Sequence, residues 1–310
     1  MGCGFATRLH SKTLAGFTHE VRRYYASRDP AKAASFNQKY HGTGQFGSYE
    51  AALKYPNIDV VLIATPPVYH LDLAMQAMRA GKHVIVEKPP FLRSTDFDAI
   101  RNVQAETDRR VLIAENYFYK PVAFKLREII GAGLIGEPVF VHINALKMQK
   151  TGNWRDDAAL AGGGALFEGG IHWINFIANL GLTVKRVRGF RPGKKAGVEK
   201  SMLVAIEYAE GAVGALYYSW VIPSLFKGLR LSKIFGREGS ITFESNGLIV
   251  LVNGSRKKTM IPDLTDISGY KAMFRDFFHV LRTGEEPRMS LDLAQQDLRL
   301  IETIYQSLEN

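Results

Sequence analysis

Two side chains four residues apart, Glu168 and His172, stand in the run Gly162-Gly163-Gly164-Ala165-Leu166-Phe167-Glu168-Gly169-Gly170-Ile171-His172-Trp173-Ile174-Asn175. On a helix that spacing puts both on one face, where they can approach the same hydroxyl group. A histidine titrates near neutrality and is suited to move a hydroxyl proton. The same pair is half of a metal site, but no third ligand follows at a recognisable spacing and HExxH is absent, so no metal is expected. A second chemical signal opens the chain. Gly2-Cys3-Gly4-Phe5-Ala6-Thr7 matches the first two glycines of a dinucleotide fingerprint, with Thr7 where a third glycine or alanine is usual. Glycines there allow a tight turn and bring backbone N–H groups against a pyrophosphate at a helix N-terminus, so Gly2, Gly4, Phe5 and Ala6 are candidate cofactor contacts. About twenty residues on, where a carboxylate would hold the ribose hydroxyls of NAD, the chain reads Ala26-Ser27-Arg28-Asp29-Pro30. Ser27 and Arg28 in that place can instead accept a 2′-phosphate, which favours NADP over NAD.

These groups need a scaffold, and the apolar pattern supplies one. Residues 58–63 and 83–86 are short β-branched runs that read as buried parallel strands, with a helix over 71–79 between them stopped by Gly81. A helix over 94–107 leads into a strand over 110–114, and alternation of this kind implies a doubly wound parallel sheet. The fingerprint should follow a strand, yet only Met1 precedes it here. Either an apolar strand lies upstream in the natural protein or another segment fills the central slot; the chain as written is then expected to bind cofactor poorly. Beyond residue 120 the rhythm changes. A helix over 122–130 is followed by strand-like stretches at 140–148, 202–208, 212–220, 239–244 and 248–252, with turn signals at Glu210-Gly211 and Asn246-Gly247 that suit antiparallel hairpins. Helices over 270–282 and 291–307 close the chain. The expected architecture is therefore an α/β dinucleotide-binding (Rossmann) domain over 1–120, lacking its first strand. An α+β domain over 121–310 follows, with a mostly antiparallel open sheet that binds substrate and mediates oligomerisation.

Composition narrows the function classes. The chain has 310 residues, 46% hydrophobic, which is enough for a large core and excludes disorder. No segment approaches the ~18 apolar residues of a membrane span and the start lacks a signal-peptide stretch, so a cytoplasmic protein without membrane contact is expected. The single cysteine, Cys3, excludes an intramolecular disulfide and suits a reducing compartment. A net charge of +10 invites a nucleic-acid reading. The basic residues are scattered, however, and the densest clusters, 185–195 and 256–258, lie beside glycines in expected loops without interleaved aromatics, so no nucleic-acid partner is expected.

The stretch Thr65-Pro66-Pro67, then His70, then Ala80-Gly81-Lys82-His83-Val84-Ile85-Val86-Glu87-Lys88-Pro89-Pro90 resembles the Gfo/Idh/MocA oxidoreductases, whose hallmark Glu-Lys-Pro matches Glu87-Lys88-Pro89. The resemblance continues through Glu115-Asn116-Tyr117-Phe118-Tyr119-Lys120-Pro121, Trp154-Arg155, the glycine-rich run ending at His172, and Ile304-Tyr305-Gln306-Ser307. It covers nearly the whole chain apart from the first strand. Where the family reads GGGxxxDxGxHxxD, Glu168 and Asn175 replace aspartates. The resemblance implies hydride transfer between NAD(P) and a hydroxyl of a sugar, polyol or related compound. Lys88 is then expected beside the nicotinamide and the reacting hydroxyl, His172 as general acid/base, and Glu168 as orienter or substrate acceptor. Thr65, Pro66, Pro67, His70, Glu87 and Lys88 join the cofactor contacts, although His70, like His83 and His279, also suits a satisfied core residue. Asn116, Tyr117, Tyr119, Trp154 and Arg155 become candidate substrate contacts, and pairing of sheets into a homodimer or homotetramer is implied. Two rivals stay open: a glycosidase or lyase that recycles NAD internally, and a non-catalytic binding module.

Overall fold

The computed structural model describes all residues except 150, 153–157, 194–196, 224–227, 256, 309 and 310. The chain divides into two compact units, Met1–Ala114 with Met273–Ala294, and Glu115–Ala272 with Gln295–Asn310.

In the first unit, helices alternate with parallel strands. Helix α1 (Phe5–Leu14) precedes β1 (Tyr24–Ala26), α2 (Pro30–Lys39), β2 (Gly44–Phe46), α3 (Tyr49–Lys54), β3 (Val60–Ile63), α4 (His70–Arg79), β4 (His83–Glu87), α5 (Asp96–Thr107) and β5 (Val111–Ala114). All of the strand pairs, β1 with β2, β3 with β4 and β4 with β5, are parallel. Strand β5 is buried at every position and β4 at all but its first, as expected for strands covered on both faces. Helix α4 buries Ala74, Ala77 and Met78 on one side, the stripe its apolar spacing foretold.

The parallel sheet is split. Strands β1 and β2 form one piece and β3, β4 and β5 another. Among the described residues, Met1 and Gly2 lie between them: Gly2 N donates to Ala26 O at 3.0 Å, and Ala64 N donates to Met1 O at 2.9 Å. Behind these two residues is a cavity of about 880 Å³, lined by His10 and Ser11 of α1, Tyr25 of β1, Val61 of β3, and Phe274 and Phe278. No described segment occupies it. The expectation that another part of the chain fills the central slot is thus overturned for the described residues: the other extended segments are committed to their own ladders.

The second unit is built on one large sheet. Helix α6 (Pro121–Gly131) leads to β6 (Pro138–Leu146), and α7 (Ala158–Ala161) and α8 (Ile171–Ala178) precede β7 (Val184–Phe190), β8 (Ser201–Tyr208), β9 (Val213–Ser219), β10 (Leu231–Gly236), β11 (Gly239–Glu244), β12 (Val250–Asn253) and β13 (Lys257–Met260). The eight strands run in the order β13-β12-β11-β10-β6-β9-β8-β7. Every neighbouring pair is antiparallel except β6 with β9. Gly211 and Gly247, at the two hairpins expected from sequence, adopt φ of +90° and +104°, which an L side chain resists. Helices α9 (Tyr270–Thr283) and α10 (Leu291–Gln306) complete the chain.

Alternation along the strands gives the sheet two faces. Val141, Ile143, Leu216, Tyr218 and Ile234 are buried on one, while Phe140, Val213, Tyr217, Leu231, Phe235 and Leu251 are exposed on the other. The basic clusters correct an expectation. Residues 185–190 and 257–258 are not loops but belong to β7 and β13, the two edges of the sheet. Lys185, Arg186 and Arg188 point to solvent there, and charge on an edge strand discourages pairing with other chains.

Candidate active site

The first unit gathers its motifs at the C-terminal ends of its strands, where ligands bind in open α/β sheets. Gly2 has φ +87°, and a Cβ there would lie 2.5 Å from Ala64 O, so only glycine fits. Gly4 caps α1 without any side-chain hydrogen bond, and a Cβ on it would meet nothing within 4 Å. The first amides of α1, carried by Phe5 and Ala6, are thus served by no side-chain cap and open outward. That arrangement suits an anionic pyrophosphate. Thr7, the departure from the fingerprint, donates its hydroxyl to Gly2 O at 2.7 Å and ties the turn to the helix.

Ser27 follows β1 directly, and its hydroxyl accepts from Asp29 N at 3.1 Å. Asp29, the nearest carboxylate, is spent as the N-cap of α2, accepting from Ala31 N and Lys32 N. Arg28 is exposed, its guanidinium carbon 5.2 Å from the centre of the Tyr69 ring. After β3, the turn Thr65-Pro66-Pro67 is held by His70: its Nε2 lies 2.8 Å from Thr65 O and its Nδ1 2.9 Å from Pro89 O. His70 is 1% exposed, and burial holds its imidazole below the ordinary range. Its ring therefore ties two site turns together, which is the structural role the sequence also allowed.

Glu87 is buried at the end of β4. It meets His10 Nε2 at 2.5 Å through one oxygen and accepts Lys88 N at 3.0 Å through the other. The Glu87-Lys88 pair thus divides its labour: Glu87 anchors α1 and the Lys88 backbone, and Lys88 itself stays half-buried.

In the second unit, the glycine run approaches a buried carboxylate that sequence reasoning passed over. A Cβ on Gly164 would sit 1.4 Å from Glu199 Oε2. Leu166 N donates to Glu199 Oε1 at 2.9 Å and the Tyr305 hydroxyl donates to the same oxygen at 2.7 Å. Gly164 N and Phe167 N donate in turn to the Tyr305 oxygen. Burial raises the Glu199 carboxyl and lifts the Tyr305 hydroxyl as well. This network fixes the start of the segment that carries Glu168 and His172.

That segment is not one regular α-helix. Leu166–Gly170 form a π-turn that runs into α8, so the i, i+4 argument for a shared face does not apply unmodified. Glu168 is 5% exposed and its charge, after burial itself, raises the Tyr218 hydroxyl. The carboxylate on His172 Nδ1 is a different one, Glu115, with its Oε1 2.6 Å away. Glu115 Oε1 also accepts Tyr117 N at 2.9 Å, and the Tyr117 ring stacks on the imidazole at 4.3 Å and 12°. Glu115 is 2% exposed. In the sequence it heads the stretch Glu115-Asn116-Tyr117-Phe118-Tyr119-Lys120-Pro121 that resembles the family, directly after β5, but is not singled out there as a site residue.

Of the expected substrate contacts among the described residues, Tyr117 keeps a half-exposed side chain beside His172. Asn116 is buried and gives its amide to Ser268 O at 2.6 Å, and Tyr119 is fully buried. Trp154 and Arg155 lie outside the described residues. Asn175, standing where an aspartate is common, donates to Asp297 Oδ2 at 2.8 Å in the core, where burial pushes the Asp297 carboxyl well up.

A glycine turn opening a helix at the strand ends, joined in one chain to a carboxylate-oriented histidine, defines a dinucleotide-dependent oxidoreductase. Residues 1–115 match the oxidoreductase family with NAD-binding Rossmann fold, and residues 124–242 match the GFO/IDH/MocA C-terminal domain. The chain belongs to the GFO/IDH/MocA oxidoreductase family. It is 31% identical over 227 residues to dTDP-3,4-didehydro-2,6-dideoxy-alpha-D-glucose 3-reductase of Saccharopolyspora spinosa, covering 71% of this chain and 67% of that one. To D-xylose 1-dehydrogenase (NADP(+)) 2 of Haloferax volcanii it is 27% identical over 292 residues, covering 92% and 88%. Among solved structures, levoglucosan dehydrogenase in complex with NADH and levoglucosan superposes with a TM-score of 0.86 at 22% identity, over 99% of this chain and 95% of that one. No described helix is long and apolar enough to cross a membrane.

Proposed function

We propose that this protein is an NADP-preferring dehydrogenase or reductase of a sugar or polyol, working in the cytoplasm, with His172 as its general base. The observation that carries the reading is the His172–Glu115 hydrogen bond. Donation of Nδ1–H to the carboxylate leaves the lone pair on Nε2, the tautomer that accepts a hydroxyl proton, and the nearby negative charge stabilises the imidazolium that results. Tyr117 holds the ring plane, and Lys88 supplies positive charge to the developing alkoxide. The bound nicotinamide supplies the hydride acceptor. Two relatives that act on sugars, one named for NADP, support the substrate class and the cofactor. The test is purified protein mixed with NADP or NAD and a panel containing D-xylose, levoglucosan and myo-inositol. Reduced-nicotinamide absorbance should rise with at least one of them; product release without that rise would favour internal NAD recycling instead.

Cofactor choice rests on Ser27 and Arg28. Ser27 stands where a carboxylate would hold the ribose hydroxyls, Asp29 turns one oxygen to the α2 cap and the other towards Lys32, and the exposed Arg28 can pair with a 2′-phosphate. NADP is expected to bind about tenfold or more tightly than NAD, a difference of ~1.4 kcal/mol, and Arg28→Ala should erase it. Equal affinities in the unmodified protein, unaffected by that change, would sink the preference.

The exposed apolar face of the large sheet supports self-association into a dimer or tetramer. Phe140, Tyr217 and Phe235 are exposed there on adjacent strands: Phe140 pairs in register with Phe235 of β10 and Val213 of β9, and Tyr217 lies four residues further along β9. Light scattering should give a mass of at least two chains at micromolar concentration, and Phe140→Glu combined with Tyr217→Lys should yield a monomer. A monomeric mass for the unmodified protein would contradict this.

A further inference from the structure

Lys120 sits at the start of α6 with its side chain turned inward, 4% exposed. Its ammonium lies 4.4 Å from the centre of the Tyr117 ring, the same ring that stacks on His172. It has no hydrogen-bond partner among the described residues, yet Nζ is not one of the sealed polar atoms that lack partners, so it keeps an opening to solvent. The carboxylates that act on it are occupied. Glu115 holds His172 Nδ1 and Tyr117 N. Glu244 accepts the backbone N–H groups of Asn246 and Gly247 and the Asn246 side-chain amide. The remaining charged neighbour is a second buried cation, Arg230, which repels it.

A buried ammonium with only an aromatic face for company is expensive, and such groups concentrate where a ligand completes them. Burial first, then Arg230, bring the Lys120 amine down to about 8. Tyr117 presents the matching donor: burial pushes its hydroxyl up to about 12, so it stays protonated, and it too has no hydrogen-bond partner among the described residues. We propose that Lys120 is a substrate-contacting, specificity-determining residue, whose Nζ, with the Tyr117 hydroxyl, binds a second hydroxyl of a polyol whose reacting hydroxyl is at His172. This rests on the sugar or polyol reading above and deepens it: the site selects compounds with at least two hydroxyls, and simple monoalcohols are poor substrates.

The experiment compares the unmodified protein with Lys120→Met and Lys120→Gln, using D-xylose, levoglucosan, myo-inositol and 2-propanol. Sugar binding is followed by calorimetry with NADPH present, and turnover by nicotinamide absorbance. Lys120→Met should raise the Kd and KM of the preferred sugar by about 10- to 100-fold, the loss expected for one charge-assisted hydrogen bond, with a smaller effect on kcat. Lys120→Gln, which keeps an N–H donor, should lose less. In the unmodified protein the Kd should weaken as pH rises through about 8, where the amine loses its proton; in Lys120→Met that dependence should vanish. A merely structural lysine would lower the melting temperature without moving either readout. Turnover with an unchanged Kd in Lys120→Met would overturn the role of Lys120 and keep the dehydrogenase reading. Sugar binding that depends on Lys120 without nicotinamide reduction would do the reverse. Failure of every sugar to bind or react would overturn both.

Discussion

His172→Ala and Lys88→Met are each expected to lower kcat by about a hundred- to ten-thousandfold while leaving the melting temperature within a few degrees. The reason for the large effect is that the imidazole is held by Glu115 and stacked by Tyr117 in an arrangement that presents Nε2 as an acceptor, and that Lys88 is assigned the charge on the alkoxide. The reason for the small structural cost is that His172 has 15% of its side chain exposed and Lys88 is half-buried, so neither fills the core. Glu115→Gln should be nearly as damaging, by at least about a hundredfold, because an amide can hold the ring in the wrong tautomer and cannot stabilise imidazolium. The measurement is steady-state kinetics on the sugar identified in the panel, with thermal melts alongside. Near-normal kcat in either His172→Ala or Lys88→Met would show the catalytic assignment to be wrong.

The second large effect concerns the split in the parallel sheet. Strands β1 and β3 face each other across the 880 Å³ cavity with Met1 and Gly2, among the described residues, between them. Met1 and Gly2 pair with Leu62 O, Ala64 N and Ala26 O, and a strand continuing through the gap would offer partners to further facing backbone groups, each worth ~1–3 kcal/mol where it is buried without one. A chain extended before Met1 by about six apolar, β-branched residues should thread the slot, pair with both strands and cover Phe274 and Phe278. Regaining even a few such pairs would raise the melting temperature by roughly 5–15 °C for a protein of this size. NADP affinity should tighten as well, since Gly2 and the start of α1 would then be held by a continuous strand. A control extension with lysine and glutamate at the inward positions should give neither gain. Equal behaviour of the apolar, charged and unextended chains would show that the slot does not limit stability or cofactor binding.

Several features were legible in the residues alone because their causes are local. Runs of β-branched residues gave β3, β4 and β5; helical spacing gave α4 and α9; the pairs Glu210-Gly211 and Asn246-Gly247 gave hairpins because only glycine relaxes into their positive φ. The glycine turn and the strand-end motifs announced a dinucleotide site for the same reason, since close backbone approach demands particular residue types at fixed spacing. Local pattern misled at β7 and β13. Their lysines and arginines look like loops until sheet order shows that both strands are edges, where one row of backbone groups meets solvent and charge is favoured.

Tertiary structure alone decided which carboxylate serves His172. Spacing nominated Glu168, four residues away, but a π-turn alters the geometry of that segment, and Glu115, 57 residues earlier, supplies the hydrogen bond. No periodicity links positions so far apart; only the folding of residues 115–117 against α8 does. The same holds for Glu199, which explains Gly164 through a contact no motif encodes, and for Lys120, whose unusual environment comes from Tyr117, Arg230 and Glu244 on separate elements. Residue types and short spacings specify what chemistry a chain can offer. Burial and long-range packing set the charge, tautomer and orientation with which it is offered, because those depend on the dielectric and partners that only the assembled core provides.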